Sequence, residues 1–170
     1  LADAVMANRE ARYLLEGAAG QNEVHAYAQR EDGIWLHGIM DRLIAGPGIV
    51  EFKTVTGGVD WDEFVWNVFE FNYHLDLAAY IEMMRILEKR AVKDCAWVVA
   101  QQVEPFSVRV HYPQEEEMLD LGRFDMNRAI DRWKALTKLD PGFAKESVWF
   151  GGRQEAEEGP CKFPYHILIR

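Results

Sequence analysis

Two short segments carry the residue types that could do chemistry: Gly38-Ile39-Met40-Asp41-Arg42 and Ile49-Val50-Glu51-Phe52-Lys53-Thr54. Side chains two apart on a strand point to the same side, so Glu51 and Lys53 are expected to stand together. If the two segments are strands paired through the Ala45-Gly46-Pro47-Gly48 turn, Asp41 reaches the same point. Two carboxylates and an ammonium at a sheet end suit a hard divalent cation and an attacking water. That is the chemistry of phosphodiester hydrolysis. The triplet Glu-x-Lys arises about once by chance in a chain of this size, so the information lies in its β-branched and aromatic setting. An ordinary solvated hairpin with surface charges at Asp41, Arg42, Glu51 and Lys53 is the competing reading.

A third carboxylate stands downstream. Residues 73–84, from Tyr73 to Met84, read as a helix that is apolar almost all round and therefore buried. Asp76 interrupts it, and a buried carboxylate is costly unless paired, hydrogen-bonded or metal-bound. Tyr80 lies four residues on and shares its face. A simple pairing of Asp76 with a nearby Arg at the helix surface is the alternative.

In this order of residues the chain resembles the PD-(D/E)xK nuclease superfamily, and within it the RecE-like (exonuclease VIII type) branch related to RecB nuclease domains. The resemblance runs from about Glu23 to Trp149 and rests on five stretches. These are Glu23-Val24-His25-Ala26-Tyr27, the Gly38–Asp41 strand, Glu51-Phe52-Lys53-Thr54, Tyr73-His74-Leu75, and the strand-like stretch from Trp97 to Phe106. It implies that Asp41 and Glu51 ligate Mg²⁺ or Mn²⁺, with the Phe52 carbonyl as a further ligand and Glu23 as an outer acidic group. It implies that Lys53 orients the water or stabilises the developing charge. Tyr80 matches the Tyr of the family's Gln-x-x-x-Tyr motif, with Asp76 in place of the Gln. An amide donates to DNA and an ionised Asp does not, so Asp76 would add a ligand, repel the phosphate or mark a weakened enzyme. His74, beside these residues, is a candidate for contact with DNA. The family's helical segment with a His ahead of the first strand has no match here, and the chain begins at Leu1, as a fragment or a shortened relative would.

The activity implied by the resemblance is 5′-3′ exonuclease action on linear double-stranded DNA in phage-type recombination. It brings with it a single-strand annealing partner and a ring-shaped homo-oligomer. An endonuclease of the same fold, acting in restriction or repair, and an inactive DNA-binding or assembly module are the competing functions.

A chain of 170 residues, 49% hydrophobic with six Trp, is expected to form a single domain over 1–170 with a proper core. No apolar run is long enough for a bilayer and no leader is visible, so a cytoplasmic protein is expected. Two cysteines are too few for a tetra-thiolate metal site. The net charge of −9 lacks the basic footprint usual for DNA binders. Much of the acidic excess, Glu115–Glu117 and Glu155, Glu157, Glu158, lies away from the proposed site. Arg30, Arg42, Lys53 and Arg85 are the cations that a channel between subunits could concentrate.

The expected elements begin with a helix over 3–16 and strands at 23–30, 34–44 and 48–55, the first two joined by the Glu31-Asp32-Gly33 turn. Asp60 could cap a helix from Trp61. Helix then runs to Lys89 with a bend near Asn72. A hairpin of strands at 95–103 and 106–112 precedes a helix over 114–138, with Met118, Leu121, Met126, Ile130, Trp133 and Leu136 on its inner side. The tail over 141–170 reads as irregular, anchored by Trp149 and Phe150. This order predicts an α/β fold, which by the resemblance is a restriction-endonuclease-like core: a mixed central sheet flanked by helices. The five histidines show no paired metal-ligand spacing. His37 lies about 13 Å along the strand from Asp41, too far to share an ion, and reads as structural. Trp61 and Trp66 could stack on an exposed base.

Overall fold

A computed structural model describes residues 1–45, 48–89, 92, 94–113, 116–139 and 166–168. It shows a mixed sheet flanked by helices. Strands β1 (Gly20–Gln29), β2 (Trp35–Ile44), β3 (Gly48–Val55), β4 (Asp94–Gln101) and β5 (Val108–His111) lie side by side in that order. All neighbours are antiparallel except β3 and β4, which run parallel. Parallel strands need a crossover connection. Here it is supplied by helices α3 (Trp61–Glu70) and α4 (Tyr73–Glu88).

Strand alternation divides the core in two. Ile49 and Val55 of β3 and Trp97 and Val99 of β4 face one side, in a core shared with Phe64, Val68, Leu77, Tyr80 and Met83 of α3 and α4. Met118, Met126 and Ile130 of α5 (Glu116–Leu139) close that layer. Val50 of β3 and Ala96, Val98 and Ala100 of β4 face the other side and pack on Val5, Ala11 and Leu14. The expected inner face of α5 is therefore right at those three positions, whereas Leu121 is 41% exposed. Position 121 sits beside Gly122, which turns the helix's closest approach toward α4.

The expected N-terminal helix is broken. Asn8 adopts an extended conformation that ends α1 (Ala2–Ala7), and its side-chain oxygen then accepts from the amides of Glu10 and Ala11 to start α2 (Arg9–Arg12). Asn and Asp favour such caps because the side chain satisfies amides that lack helical partners. A wider helical turn over Tyr13–Gly17 follows. Asp60 does precede α3 but makes no side-chain cap; its carboxylate is drawn to Arg109 at 3.1 Å. The expected bend at Asn72 is present, with the residue in the left-handed region at φ 58°, a conformation that Asn tolerates better than most residues.

Of the C-terminal stretch, His166–Leu168 form a short strand, β6, parallel to Trp35–His37 of β2. An irregular course was expected there. Trp149, Phe150 and the Gly46-Pro47 turn lie outside the described residues. Among the described residues no helix is long and apolar enough to cross a membrane.

Two glycines set how closely the helices approach. At Gly38 a Cβ would stand 2.5 Å from the Tyr80 ring and 2.8 Å from the Met83 methyl, so its absence lets α4 lie on β2. At Gly122 a Cβ would run into the carbonyl oxygen of His74, fixing the α4–α5 crossing. Alanine gains about 1 kcal/mol over glycine in a helix interior, but overpacking against backbone costs about 1–3 kcal/mol. Gly122→Ala is accordingly expected to destabilise the protein by up to about 2 kcal/mol, read as a lower midpoint of urea unfolding. A raised midpoint would show that the helices have room to separate.

Candidate active site

The β2–β3 ladder is short, and its ending creates the site. Arg42, Leu43 and Ile44 pair with Val50, Ile49 and Gly48, and beyond Arg42 and Val50 the two strands part. Buried backbone groups must find partners, and side chains supply them in the gap. The Asp41 amide donates to a Glu51 carboxylate oxygen at 3.1 Å. The Phe52 amide donates to Asp41 Oδ2 at 2.8 Å. The Ile39 carbonyl accepts from the Tyr80 hydroxyl at 2.9 Å. Asp41 and Glu51 are thus interlocked, each carboxylate held by the other strand's backbone.

Lys53 completes the group. Its ammonium donates to Glu51 Oε2 at 2.9 Å and lies 4.8 Å from the centre of the Tyr73 ring. Tyr73, Asp76 and Tyr80, at spacings of three and four, occupy one face of α4. Glu51 is 3% exposed and Asp76 6% exposed, whereas Asp41 is open to solvent. The site is a mouth with one accessible carboxylate and two sunken ones.

Its electrostatics follow from burial. Burial raises the Glu51 pKa, Lys53 opposes this, and Asp41 adds to the rise. Burial alone would lower Lys53, but Glu51, then Asp41 and Asp76, outweigh it and hold the ammonium protonated. Asp76 is pushed up to about 7, first by burial, against the pull of Lys53 and with the repulsion of Glu51. The pocket thus holds more negative charge than one lysine neutralises.

Added positive charge is what this arrangement accepts. Asp41 and Glu51 offer hard oxygen donors, and Mg²⁺ is commonly held by one or two carboxylates with water filling its other positions. Amide and carbonyl of one strand residue point to the same edge, so the Phe52 carbonyl also faces the gap. The donor set fits a divalent cation on these grounds. Among the described residues no three His, Cys, Asp or Glu side chains converge as a preformed cage.

Other sequence-based candidates stand elsewhere. Glu23 lies opposite Asp41 in the β1–β2 register, between the pairs Asn22–Arg42 and Val24–Met40. It is exposed and has φ 50°. Tyr80, expected to contact substrate, is buried, and its hydroxyl serves the Ile39 carbonyl, so it supports the gap from behind. His74 is also buried: Nδ1 is 3.2 Å from the Val68 carbonyl and Nε2 3.5 Å from Asp125. That position is in the α3–α4–α5 packing, away from the carboxylates. Of the four cations that a channel between subunits could concentrate, Lys53 is the one at the carboxylates. Arg42 is buried on Asn22 and the Ala18 carbonyl, while Arg30 and Arg85 flank Glu82. Trp61 is stacked in the core against Trp97, and Trp66 is 74% exposed.

Sequence reasoning did not single out Tyr73 as a partner of Lys53, although its position three before Asp76 places both on one helix face. Nor did it find the Tyr80–Ile39 bond, because no local pattern marks where a ladder ends.

No family model matches the chain, and no curated protein matches it. Among solved structures it is similar to the crystal structure of a provisionally named exonuclease from Eubacterium rectale, with a TM-score of 0.58 and 14% sequence identity. The match covers 77% of this chain and 50% of that one, so the similarity spans about half the length of the neighbour. The fold is therefore of the nuclease-like α/β kind.

Proposed function

We propose that this protein is a divalent-metal-dependent deoxyribonuclease of the RecE-like kind, acting as a 5′-3′ exonuclease on linear double-stranded DNA. The observation that carries the reading is the interlock of Asp41 and Glu51 with Lys53 where β2 and β3 part. A site of this composition has little use as a surface hairpin, because Glu51 is buried beside two further carboxylates at the cost of its desolvation.

In this reading Asp41 and Glu51 would hold Mg²⁺ or Mn²⁺, with the Phe52 carbonyl beside them and Glu23 further out. The ion would lower the pKa of a water and screen the phosphate. Lys53, kept protonated by its carboxylate neighbours, donates to the water or to the phosphoryl oxygen on which charge accumulates. The Asp41 and Phe52 amides fix the carboxylates, so little reorganisation accompanies reaction. Asp76 sets how much negative charge the sunken end carries. A single-strand annealing protein as partner and a homo-oligomeric ring in the cytoplasm complete the phage-type recombination role.

The test is digestion of linear and closed-circular duplexes of one sequence with Mn²⁺, with and without a chelator. Loss of the linear form alone, abolished by the chelator, is the expected result. Cutting of the circle would make the enzyme an endonuclease of the same fold. If neither is cut by a folded protein, the chain is an inactive nuclease-fold module and the reading fails.

A further inference from the structure

Three aromatic side chains within six residues, Trp66, Phe69 and Phe71, are 74%, 43% and 53% exposed at the end of α3 and the turn into α4. Single exposed apolar residues are ordinary, whereas contiguous ones mark binding surfaces. Phe69 turns onto the buried His74 at 5.1 Å, and Phe71 is the one of the three that reaches toward the active site. The Phe71 ring lies 5.7 Å from that of Tyr73 at 30°, and the Lys53 ammonium lies 4.8 Å from the centre of the Tyr73 ring. Phe64, which is fully buried, holds Tyr73 from the core side at 6.2 Å.

The turn is built to hold this geometry. The Phe71 amide donates to the Asn67 carbonyl at 3.0 Å and the Asn72 amide to that of Phe69 at 3.4 Å. Asn72, at φ 58°, then reverses the chain so that Phe71 stands outside while Tyr73 turns inward. A large apolar ring is thereby fixed in water, one ring removed from the lysine.

We propose that Phe71 is a stacking platform for an unpaired or terminal nucleobase of the strand whose phosphate meets Lys53. This rests on the nuclease reading and deepens it, because it selects the form of DNA that enters. Within a duplex each base face is covered by its neighbours, so a protein ring can stack only where a base is terminal or splayed out. A protein partner would also cover apolar rings. Once a cation on Asp41 and Glu51 offsets those carboxylates, however, the Lys53 ammonium beside Tyr73 favours an occupant that carries negative charge next to a flat apolar face, and a nucleotide has both. Stacking on aromatic side chains contributes about tenfold or more to binding per base.

The experiment measures binding with Ca²⁺ in place of Mg²⁺ or Mn²⁺ and a phosphorothioate strand, so that the site's carboxylates are neutralised and no cleavage is needed. A short single strand containing 2-aminopurine near its 5′ end is titrated with wild type, Phe71→Ala, Phe71→Leu and Phe71→Trp. Wild type and Phe71→Trp are expected to quench the fluorescence and bind alike. Phe71→Ala and Phe71→Leu are expected to bind about tenfold more weakly without quenching. Phe71 is half-exposed, so folding is not at stake, and the circular dichroism of each variant checks this. Equal binding by Phe71→Ala, or binding by wild type without quenching, overturns the proposal. If the wild type cuts DNA while Phe71→Ala binds as well as it does, the platform fails and the nuclease reading stands. Quenching that depends on Phe71 in a protein that never cuts leaves the platform and removes the nuclease.

Discussion

Lys53→Ala is expected to lower DNA cleavage about 10²–10³-fold, the usual cost of removing one preorganised donor to a developing oxyanion. The fold is expected to survive. Removing one partner of a fully buried ion pair costs about 3–5 kcal/mol, because the other charge is left alone. Here Glu51 has a way out: burial already raises its pKa, and Asp41 beside it is open to solvent. Without the lysine, Glu51 takes up a proton at higher pH than before and the charge disappears. Cleavage of linear duplex in Mn²⁺, set against far-UV circular dichroism of the same preparation, reads both effects. Normal cleavage by the variant would remove Lys53 from the chemistry; a lost spectrum would make it a structural ion-pair partner only. Lys53→Met, which keeps the stem over Tyr73, separates loss of charge from loss of packing.

Much of this site could be read from the chain because it depends on strand parity. Glu51 and Lys53 share a face whatever the tertiary structure, and a turn beginning at Ala45 brings Asp41 near them. The same holds for Asp76 and Tyr80 on one helical face. What local pattern could not convey was the parting of β2 and β3. That event decides that the Asp41 and Phe52 amides and the Ile39 carbonyl need side-chain partners. It explains why Tyr80 is spent on a carbonyl, which its hydroxyl reaches because Gly38, lacking a Cβ, lets α4 come down onto the sheet. His74 was misleading for a related reason. Its neighbours in sequence border the site, but one step around α4 turns it about 100° away, toward α5. The partners of the arginines were not legible because charge counts carry no direction. Arg42 is held by Asn22 and Arg30 reaches Glu82, both remote in sequence, whereas Arg85 pairs with Glu82 one turn away on α4.

The overall charge of −9 and the site's chemistry are compatible once location is considered. Lys53 sits among three carboxylates rather than in a basic groove, so the free site repels a phosphate. Phosphate contacts normally supply most of the affinity for DNA. In this protein that attraction would have to follow neutralisation of Asp41 and Glu51, which links substrate binding to cation binding. An aromatic contact such as Phe71, which is indifferent to charge, suits such a surface.

Asp76→Asn is expected to stabilise the protein at pH 8 by about 2–4 kcal/mol while changing little at pH 4. In the folded protein the Asp76 carboxyl is pushed up to about 7, against an ordinary value of 3.8. Burial is the main cause, Lys53 opposes it, and Glu51 reinforces it. The folded chain therefore binds this proton more tightly than the unfolded one between those values. Stability from the group is fully present below about pH 4 and is lost as pH rises through about 7. Each unit of pKa difference corresponds to about 1.4 kcal/mol, and because Asp76 is nearly buried most of that difference should be felt. Asparagine has the same shape without the charge, so its stability should lack this decline. Urea midpoints of both proteins between pH 4 and pH 8.5, in chelator, measure it. A variant less stable than wild type at pH 8 would mean that the Lys53 ammonium outweighs burial and that Asp76 is an ordinary ion-pair partner. A decline with pH that is clearly steeper in the wild type than in the variant would establish Asp76 as the main carboxylate through which an unliganded site bears its excess charge.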